Sequence, residues 1–347
     1  MHDDCVEAMP LLHGHRPDEI VMHRIALLHC SRPGENTIGT RSLPTRRARE
    51  YRMLESLPDQ QGGLPMKEFK DRVAVVTGGA SGLGRAMALR FARAGMKIVL
   101  ADVQPDALNK TRAEFEQAGI PVLAVQTDVS KGAEVDALAD KAFRTFGGVH
   151  VLCNNAGVAP GGTLWEQTEK DWEWVLGVNV WGVIHGIRAF IPRMIRQDSA
   201  GHIVNTASVA GLLSPPGMGS YCVSKHSVVT MSECLHQDLV VAHSKLKVSV
   251  LCPAYVPTGI SDSERNRPAL LREDRKKSAA DLEHEERLRH AVQSGRISAD
   301  QVADIVFQAI ENEKFYILPH QKIKPAIEAR MQDILLERSP TDTFTRR

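Results

Sequence analysis

The chain has 347 residues, of which 43% are hydrophobic and 24% are charged, an ordinary balance for a protein that buries a large core. Its formal net charge of +1 gives no indication of nucleic acid or an anionic membrane as a partner. No apolar run reaches about 18 residues, so no transmembrane helix is predicted. The six cysteines have no CxxC or zinc-ligand spacing, so we expect no metal site, and scattered thiols are typical of a reducing, cytoplasmic compartment.

Residues 1–65 differ in composition from the rest of the chain. They contain five histidines, several prolines and a basic run, without helical or strand periodicity. A metal-binding tail is one interpretation, and a transit-type peptide is another, although early acidic residues such as Asp3 and Asp18 argue against it. Because Met66 is followed at once by a charged segment and a strand, we favour a disordered extension or a start-site artefact.

From Arg72 onward, short apolar runs alternate with amphipathic segments. The predicted strands are 73–76, 97–101, 122–126, 149–153, 203–207, 247–252 and 315–318. The predicted helices are 84–94, 105–118, 131–146, 168–196, 221–241 and 299–312, and Thr168 to Asp171 has capping-box spacing. Such alternation predicts an α/β fold with a parallel sheet covered by helices on both faces. Ligands of such sheets bind beyond the carboxyl ends of the strands.

A glycine-rich turn, Thr77–Gly84, joins the first strand to the first helix. Its glycines allow the backbone to approach a pyrophosphate closely, and the helix N-terminus offers free N–H groups. The common G-x-G-x-x-G spacing fails because Met87 occupies the third position, whereas T-G-x-x-x-G-x-G fits. Taken alone, the turn is a weak signal, and a purely structural turn is the alternative interpretation.

Asp102, at the end of the second strand, strengthens the prediction of a dinucleotide site. A carboxylate at this point accepts hydrogen bonds from the adenosine ribose hydroxyls and repels a 2′-phosphate. Ser81 offers no basic side chain to counter that repulsion. We therefore expect NAD as the cofactor rather than NADP, with a plain turn residue as the alternative for Asp102.

Tyr221 and Lys225 stand four apart on a predicted helix, so they share one face. A phenol with an ordinary pKa of about 10 serves as a proton shuttle when that pKa is lowered. The Lys225 ammonium and a cationic nicotinamide ring are plausible sources of the lowering. The spacing alone is a common coincidence, but Ser208 follows the fifth strand at the ligand-binding edge, and Asn179 lies mid-helix, where it could anchor a water beside Lys225.

Together these features make residues 72–260 resemble the short-chain dehydrogenase/reductase family, in its compact one-domain branch. The matching segments are Thr77–Gly84, Asp102, Asp128 and Val129, Asn154 to Gly157, Asn179, Ser208, Tyr221 with Lys225, and Pro253 to Thr258. The resemblance implies a Rossmann-type doubly wound sheet of about seven strands in a three-layer αβα arrangement. It also implies NAD(H)-dependent interconversion of an alcohol and a ketone, and a homodimer or homotetramer.

The resemblance assigns roles to individual residues. The catalytic set is Asn179, Ser208, Tyr221 and Lys225. The cofactor contacts are Gly78, Ser81, Gly82, Leu83, Gly84, Asp102, Asp128, Val129, Asn155, Ala156, Gly157, Tyr221, Lys225, Pro253, Val256 and Thr258. One departure from the family pattern is Ala254, which stands where a glycine usually follows Pro253, and alanine allows a more restricted backbone than glycine.

The predicted substrate contacts are Ser208, Tyr221, Tyr255 and Met218, and the surrounding mouth is mostly apolar (Val209, Ala210, Pro215 and Pro216). A charge-balanced segment, 261–295, is expected to form a helical lid on a domain spanning 66–325, followed by a C-terminal helix or tail, 326–347. We therefore expect a small-molecule substrate, a hydrophobic or aromatic secondary alcohol or its ketone. The rival interpretations are a nonenzymatic dinucleotide-binding regulator and an NAD-dependent epimerase or dehydratase on the same fold.

Overall fold

The structure is a computed structural model that describes residues 66–272 and 279–341; the predicted extension over 1–65 lies outside these ranges. The strands are β1 (Val73–Thr77), β2 (Lys97–Asp102), β3 (Val122–Gln126), β4 (Val151–Asn154), β5 (Gly201–Thr206), β6 (Leu246–Leu251) and β7 (Tyr316–Ile317). The helices are α1 (Gly82–Arg93), α2 (Pro105–Gln117), α3 (Gly132–Phe146), α4 (Glu169–Leu176), α5 (Gly182–Arg196), α6 (Gly219–Val241), α7 (Ala279–Gln293), α8 (Ala299–Glu311) and α9 (Lys324–Leu335).

The seven strands form one parallel sheet in the order β3-β2-β1-β4-β5-β6-β7. The order reverses between β1 and β4, because the chain winds outward from β1 in one direction and then returns to continue from β4 in the other. Such a switch point leaves a crevice at the carboxyl ends of the two strands. The predicted doubly wound α/β fold is confirmed.

Alternation along the strands explains the three layers, since successive strand side chains point to opposite faces of the sheet. On one face, Val76 belongs to a buried core with Phe91 of α1 and Phe307 of α8. On the other face, Val75 belongs to a second core with Leu138 of α3 and Phe190 of α5. Every residue of β1 is buried, as expected for a strand covered on both sides.

The long helix predicted over 168–196 is interrupted. It begins with the predicted capping box, in which Thr168 and Asp171 exchange side-chain to backbone hydrogen bonds. A π-helical turn, Gly177–Trp181, then separates α4 from α5. Within the described residues, the stretch Glu169–Arg196 is also the one helical segment long and apolar enough to cross a membrane, but half of its most apolar window is buried inside the protein. We regard it as a core helix.

Candidate active site

The phosphate turn contains glycines at positions where a Cβ atom would clash with neighbouring atoms or strain the backbone. Gly78 and Gly82 have φ angles of +64° and +51°, which L-residues with side chains rarely adopt. A Cβ on Gly84 would lie 2.1 Å from the Gly78 carbonyl oxygen. Because all three positions are glycine, α1 begins directly against the end of β1.

The start of α1 offers free donors. Ser81, the residue that precedes the helix, makes no side-chain capping bond, and the first turn contains no acidic residue. The N–H groups of this turn and the positive end of the helix dipole are therefore available to an anionic ligand. A pyrophosphate fits this cradle.

Thr77 joins the turn to the loop after β4, a role that the sequence analysis did not assign to it. Its Oγ1 accepts hydrogen bonds from the N–H groups of Asn155 (2.9 Å) and Ala156 (3.1 Å). In return, Asn155 Nδ2 donates to the Thr77 carbonyl oxygen at 3.0 Å. The predicted cofactor residues Asn155 to Gly157 are thus held on top of the turn.

Asp102 lies at the carboxyl end of β2 and lines the same cleft. Its Oδ2 accepts from the Ala80 N–H at 3.1 Å, and its Oδ1 accepts from the Gln104 N–H at 3.0 Å. These bonds fix the carboxylate beside the phosphate turn and leave further lone pairs for hydroxyl donors.

Asp128 and Val129 follow β3 and also line the cleft. Asp128 Oδ1 accepts from both the backbone N–H (3.0 Å) and the hydroxyl (2.6 Å) of Ser130, while Val129 is buried. A polar group and an apolar group side by side at this edge suit the wall of a nucleotide site.

Tyr221, Lys225 and Ser208 converge at the other end of the cleft. Lys225 Nζ lies 5.6 Å from the centre of the Tyr221 ring and donates to the Thr206 carbonyl oxygen at 2.9 Å. The hydroxyl of Ser208 lies close enough to the Tyr221 phenol to influence its pKa, donates to the Pro253 carbonyl oxygen at 3.3 Å and accepts from the Ala210 N–H at 3.1 Å. The structure thus brings together the three side chains on which the catalytic prediction depends.

The electrostatics of this set differ from the expectation. Burial raises the pKa of Tyr221 to about 12, and the nearby Ser208 hydroxyl opposes that rise only in part. Burial also lowers the pKa of Lys225 to about 8. The nearby ammonium therefore does not by itself lower the pKa of the phenol, because the cost of burying a phenolate outweighs it.

Asn179 lies in the π-helical turn, buried beneath the cleft, and holds the loop after β4. Its Oδ1 accepts from the Val158 N–H (2.9 Å), and its Nδ2 donates to the Val158 carbonyl (2.9 Å) and to Ser224 Oγ (3.0 Å). Both amide hydrogens are used, so a water between Asn179 and Lys225 would have to donate to an oxygen of Asn179. A Cβ on Gly157 would lie 3.3 Å from both Asn179 Oδ1 and Lys225 Nζ, which places the two residues side by side.

The loop after β6 completes the cleft. Pro253, Val256 and Thr258 all line it, and a Cβ on Gly82 would lie 3.2 Å from Thr258 Cβ. Ala254 does not have a positive φ, and its N–H donates to His320 Nδ1 at 3.1 Å. Alanine in place of the family glycine therefore fits this backbone without strain.

The residues form one cleft of about 1100 Å³ that runs from the phosphate turn to Tyr221. All the predicted cofactor and substrate residues line it except Gly84, which lies buried beneath the turn. Of the catalytic set, Asn179 lies just below the lining. Met218 and Tyr255 line the mouth together with Val209, Ala210 and Pro215, whereas Pro216 does not.

Part of the cleft wall was missed by the sequence analysis. Trp174 lines it from α4, and Leu288 and Val292 line it from α7, within the predicted lid. Two short 3₁₀ helices, Gly259–Asn266 and Ala269–Leu271, form the beginning of that predicted lid. The capping box at Thr168 predicts that Trp174 lies on a helix, but it does not predict which side of that helix faces the cleft.

Comparison with known proteins agrees with this geometry. Residues 72–269 match the family model described as short chain dehydrogenase. The chain is 37% identical over 278 residues to the "CLA biosynthesis dehydrogenase/reductase" of Lactiplantibacillus plantarum, covering 79% of this chain and 97% of that protein. It is 32% identical over 281 residues to the "C alpha-dehydrogenase" of a Sphingobium strain, covering 80% of this chain and 90% of that protein.

Solved structures give the same result. A short-chain dehydrogenase/reductase from Burkholderia phymatum, crystallised in complex with NAD, is 52% identical and superposes with a TM-score of 0.80, covering 81% of this chain and 100% of that one. A short-chain dehydrogenase from Novosphingobium aromaticivorans superposes with a TM-score of 0.66 at 30% identity, covering 80% of this chain and 91% of that one. With the family model matching more than half of its length and this site in place, the chain belongs to the short-chain dehydrogenase family of oxidoreductases.

Proposed function

We propose that this protein is an NAD(H)-dependent oxidoreductase that interconverts a secondary alcohol and a ketone, with Tyr221 as the acid/base. The observation that carries the proposal is the convergence of Tyr221, Lys225 and Ser208 at one end of a cleft whose other end is a glycine-rich phosphate turn. When bound, the nicotinamide supplies or accepts the hydride. The protein supplies alignment and the proton.

In the reduction direction, the protonated phenol of Tyr221 donates its proton to the carbonyl oxygen of the substrate. A pKa of about 12 keeps this phenol protonated at neutral pH. Ser208 holds the same oxygen by a hydrogen bond, and its orientation is fixed by the bond from Ala210. In the oxidation direction, Tyr221 takes the alcohol proton as phenolate, which requires positive charge beside it.

Lys225 returns the proton to Tyr221. Its pKa of about 8, lowered by burial, lies close to neutral pH, so the ammonium can lose and regain a proton under ordinary conditions. Its bond to the Thr206 carbonyl keeps the Nζ on the cleft side of α6.

The choice of NAD over NADP is supported by Asp102. Its carboxylate is fixed in the cleft by two backbone N–H donors, and a 2′-phosphate brought beside it would meet like charge. The solved relative in complex with NAD, at 52% identity, supports the same choice.

The substrate is proposed to be hydrophobic or aromatic. The cleft near Tyr221 is walled by apolar side chains, namely Ala210, Leu213, Met218, Leu271, Leu288 and Val292. Such a wall favours a substrate that buries apolar surface against it, since each buried CH₂ contributes about 0.8 kcal/mol.

The test is a screen of aliphatic, steroid and aryl alcohols with NAD and with NADP, read at the absorbance of the reduced cofactor, with Tyr221→Phe as the matched variant. We expect NADH formation by the wild-type protein and a loss of at least about 100-fold in turnover in the variant. Near-normal turnover in the variant would remove Tyr221 from the mechanism. NADH binding without turnover of any alcohol would favour a nonenzymatic regulator. Product formation without net NADH, detected by chromatography of the same reactions, would favour an epimerase or dehydratase.

A further inference from the structure

The first 3₁₀ helix of the predicted lid, Gly259–Asn266, lies along the cofactor end of the cleft as well as the substrate end. We name this segment the arm. It follows Thr258 directly, and Thr258 is the residue that fills the space beside Gly82 of the phosphate turn. Five arm residues line the cleft: Gly259, Ile260, Ser263, Arg265 and Asn266.

The arm is tied down across the cleft at two points. Buried Ser263 accepts from the Ala159 N–H at 3.1 Å, on the loop that follows β4. Asn266 Oδ1 accepts a hydrogen bond from Gln104 Nε2, and Gln104 is itself bonded to Asp102 through its backbone N–H. The arm therefore bridges from the floor beside the catalytic residues to the ribose side of the phosphate turn.

Arg265 lies between Ser263 and Asn266 in the sequence, and its guanidinium has N–H donors that make no hydrogen bond within the described residues. Its Nη1 donates to the carbonyl oxygens of Gly259 (2.8 Å) and Asp262 (2.6 Å). Among residues 66–272 and 279–341, no carboxylate pairs with Arg265. A Cβ on Gly259 would lie 3.1 Å from its Nη2, which places the guanidinium next to the chain segment that touches Gly82.

A pyrophosphate carries two negative charges, and the phosphate turn itself offers N–H groups and the Ser81 hydroxyl but no cation. The described lining contains three cations: Lys225, Arg265 and Lys322. Lys225 is committed to the Thr206 carbonyl beside Tyr221. Lys322 follows His320, whose ring accepts from the Ala254 N–H, and in the part of the chain that the structure describes none of the contacts of Lys322 lies on the phosphate turn. Arg265 is the cation that the fold places beside the turn.

We propose that the arm is a cofactor clamp, in which Arg265 binds the pyrophosphate of the dinucleotide and the Gln104–Asn266 bond holds Arg265 in place. The inference rests on the proposed function, because it deepens the cofactor site. Guanidinium suits this role since its fork of N–H donors matches phosphate oxygens. Arg265 is thus a binding residue, and Asn266 is a positioning residue that acts through it.

The experiment measures Kd by the fluorescence of NADH in the full chain and in Arg265→Gln, Arg265→Lys and the control Arg287→Gln. Arg287 lies on the exposed side of α7, pairs with Glu283 and does not line the cleft, so its replacement makes the same charge change elsewhere. We expect about a 10-fold weaker Kd in Arg265→Gln, most of the affinity restored in Arg265→Lys, and no change in the control.

Competition by cofactor fragments tests where the charge acts. ADP-ribose, which contains the pyrophosphate, should weaken by the same factor as NADH in Arg265→Gln, whereas adenosine should be unaffected. A selective loss of NADPH rather than NADH affinity would place Arg265 on a 2′-phosphate and overturn the proposal. Equal NADH affinity in wild type and Arg265→Gln would also overturn it. If the wild-type chain bound no NADH, the proposed function itself would fail.

The positioning role of Asn266 has its own readout. Asn266→Ala should weaken NADH binding by freeing Arg265, so the double variant Arg265→Gln with Asn266→Ala should bind no more weakly than Arg265→Gln alone. Additive losses would show that the two residues act independently and would contradict the clamp. Equal unfolding temperatures confirm that each variant is folded.

Discussion

Replacing Gly84 by alanine tests whether the phosphate turn depends on the close approach of α1 to β1. The added Cβ would lie 2.1 Å from the Gly78 carbonyl oxygen and 2.7 Å from Asn155 Nδ2, whereas ordinary van der Waals contact begins at 3.4 Å. The helix and the turn must therefore separate by about 1.3 Å, because the nearest of these atoms is main chain.

A displacement of that size removes N–H donors of the first turn from reach of a pyrophosphate. Losing two hydrogen bonds to a charged acceptor costs about 3 kcal/mol, which is on the order of 100-fold in Kd. Crowding would also destabilise the fold by about 1–3 kcal/mol. Both effects are measurable, the first by NADH fluorescence titration and the second by urea unfolding.

Gly177→Ala is the matched control. Gly177 has a helical φ of −55°, and the nearest atom to its added Cβ is 3.5 Å away, so alanine is accommodated there. We expect this variant to bind NADH within about twofold of wild type, because the added methyl group meets no atom closer than ordinary van der Waals contact. A folded Gly84→Ala protein whose NADH affinity matched that of the control would refute the steric account of the turn.

Two further predictions concern the cofactor choice and acid stability. Asp102→Ser should weaken NAD about tenfold and raise the relative affinity for NADP, because a charged acceptor is lost; an unchanged NAD to NADP ratio of Kd values would contradict it. His202 is buried between β5 and β6, and burial lowers its pKa to about 3 from an ordinary 6.5. The unfolded chain therefore binds this proton first, and stability falls as pH falls below 6.5, by about 1.5 kcal/mol between pH 6.5 and 5. Urea unfolding of His202→Gln should show a correspondingly shallower acid loss, and equal losses in the two proteins would argue against it.

The features that sequence predicts well here are those encoded by short spacing. The third strand has the predicted bounds, Val122–Gln126, and the capping box at Thr168 forms as predicted. The glycine turn lies between β1 and α1 because left-handed backbone and a missing Cβ are local requirements.

The arm was harder to predict because its partners are remote in sequence. Its balanced charges predict a helical lid but no particular partner for any one side chain. Yet Arg267, the residue directly after the arm, is buried, ion-paired with Asp171 and stacked over the Trp174 ring at 4.5 Å. Asp171 lies 96 residues away, and the Gln104–Asn266 bond spans 162 residues. Local sequence periodicity cannot predict contacts between residues this far apart in the chain.

The charge state of Tyr221 was also beyond the sequence pattern. The spacing to Lys225 placed an ammonium nearby, as the structure has it, but the pattern contains no measure of burial. Burial is the largest influence on both groups: it raises the pKa of the Tyr221 phenol and lowers the pKa of the Lys225 ammonium.

Asp171 links the start of α4 to the residue that follows the arm. Its carboxylate accepts from the Thr168 N–H at the start of α4 and also pairs with buried Arg267, so one side chain fastens both the helix and the far end of the arm. A neutral amide bond such as Gln104–Asn266 contributes about 1 kcal/mol, less than a hydrogen-bonded charge pair. We therefore expect the Gln104–Asn266 contact at the dinucleotide side of the arm to break more readily than the Arg267–Asp171 ion pair.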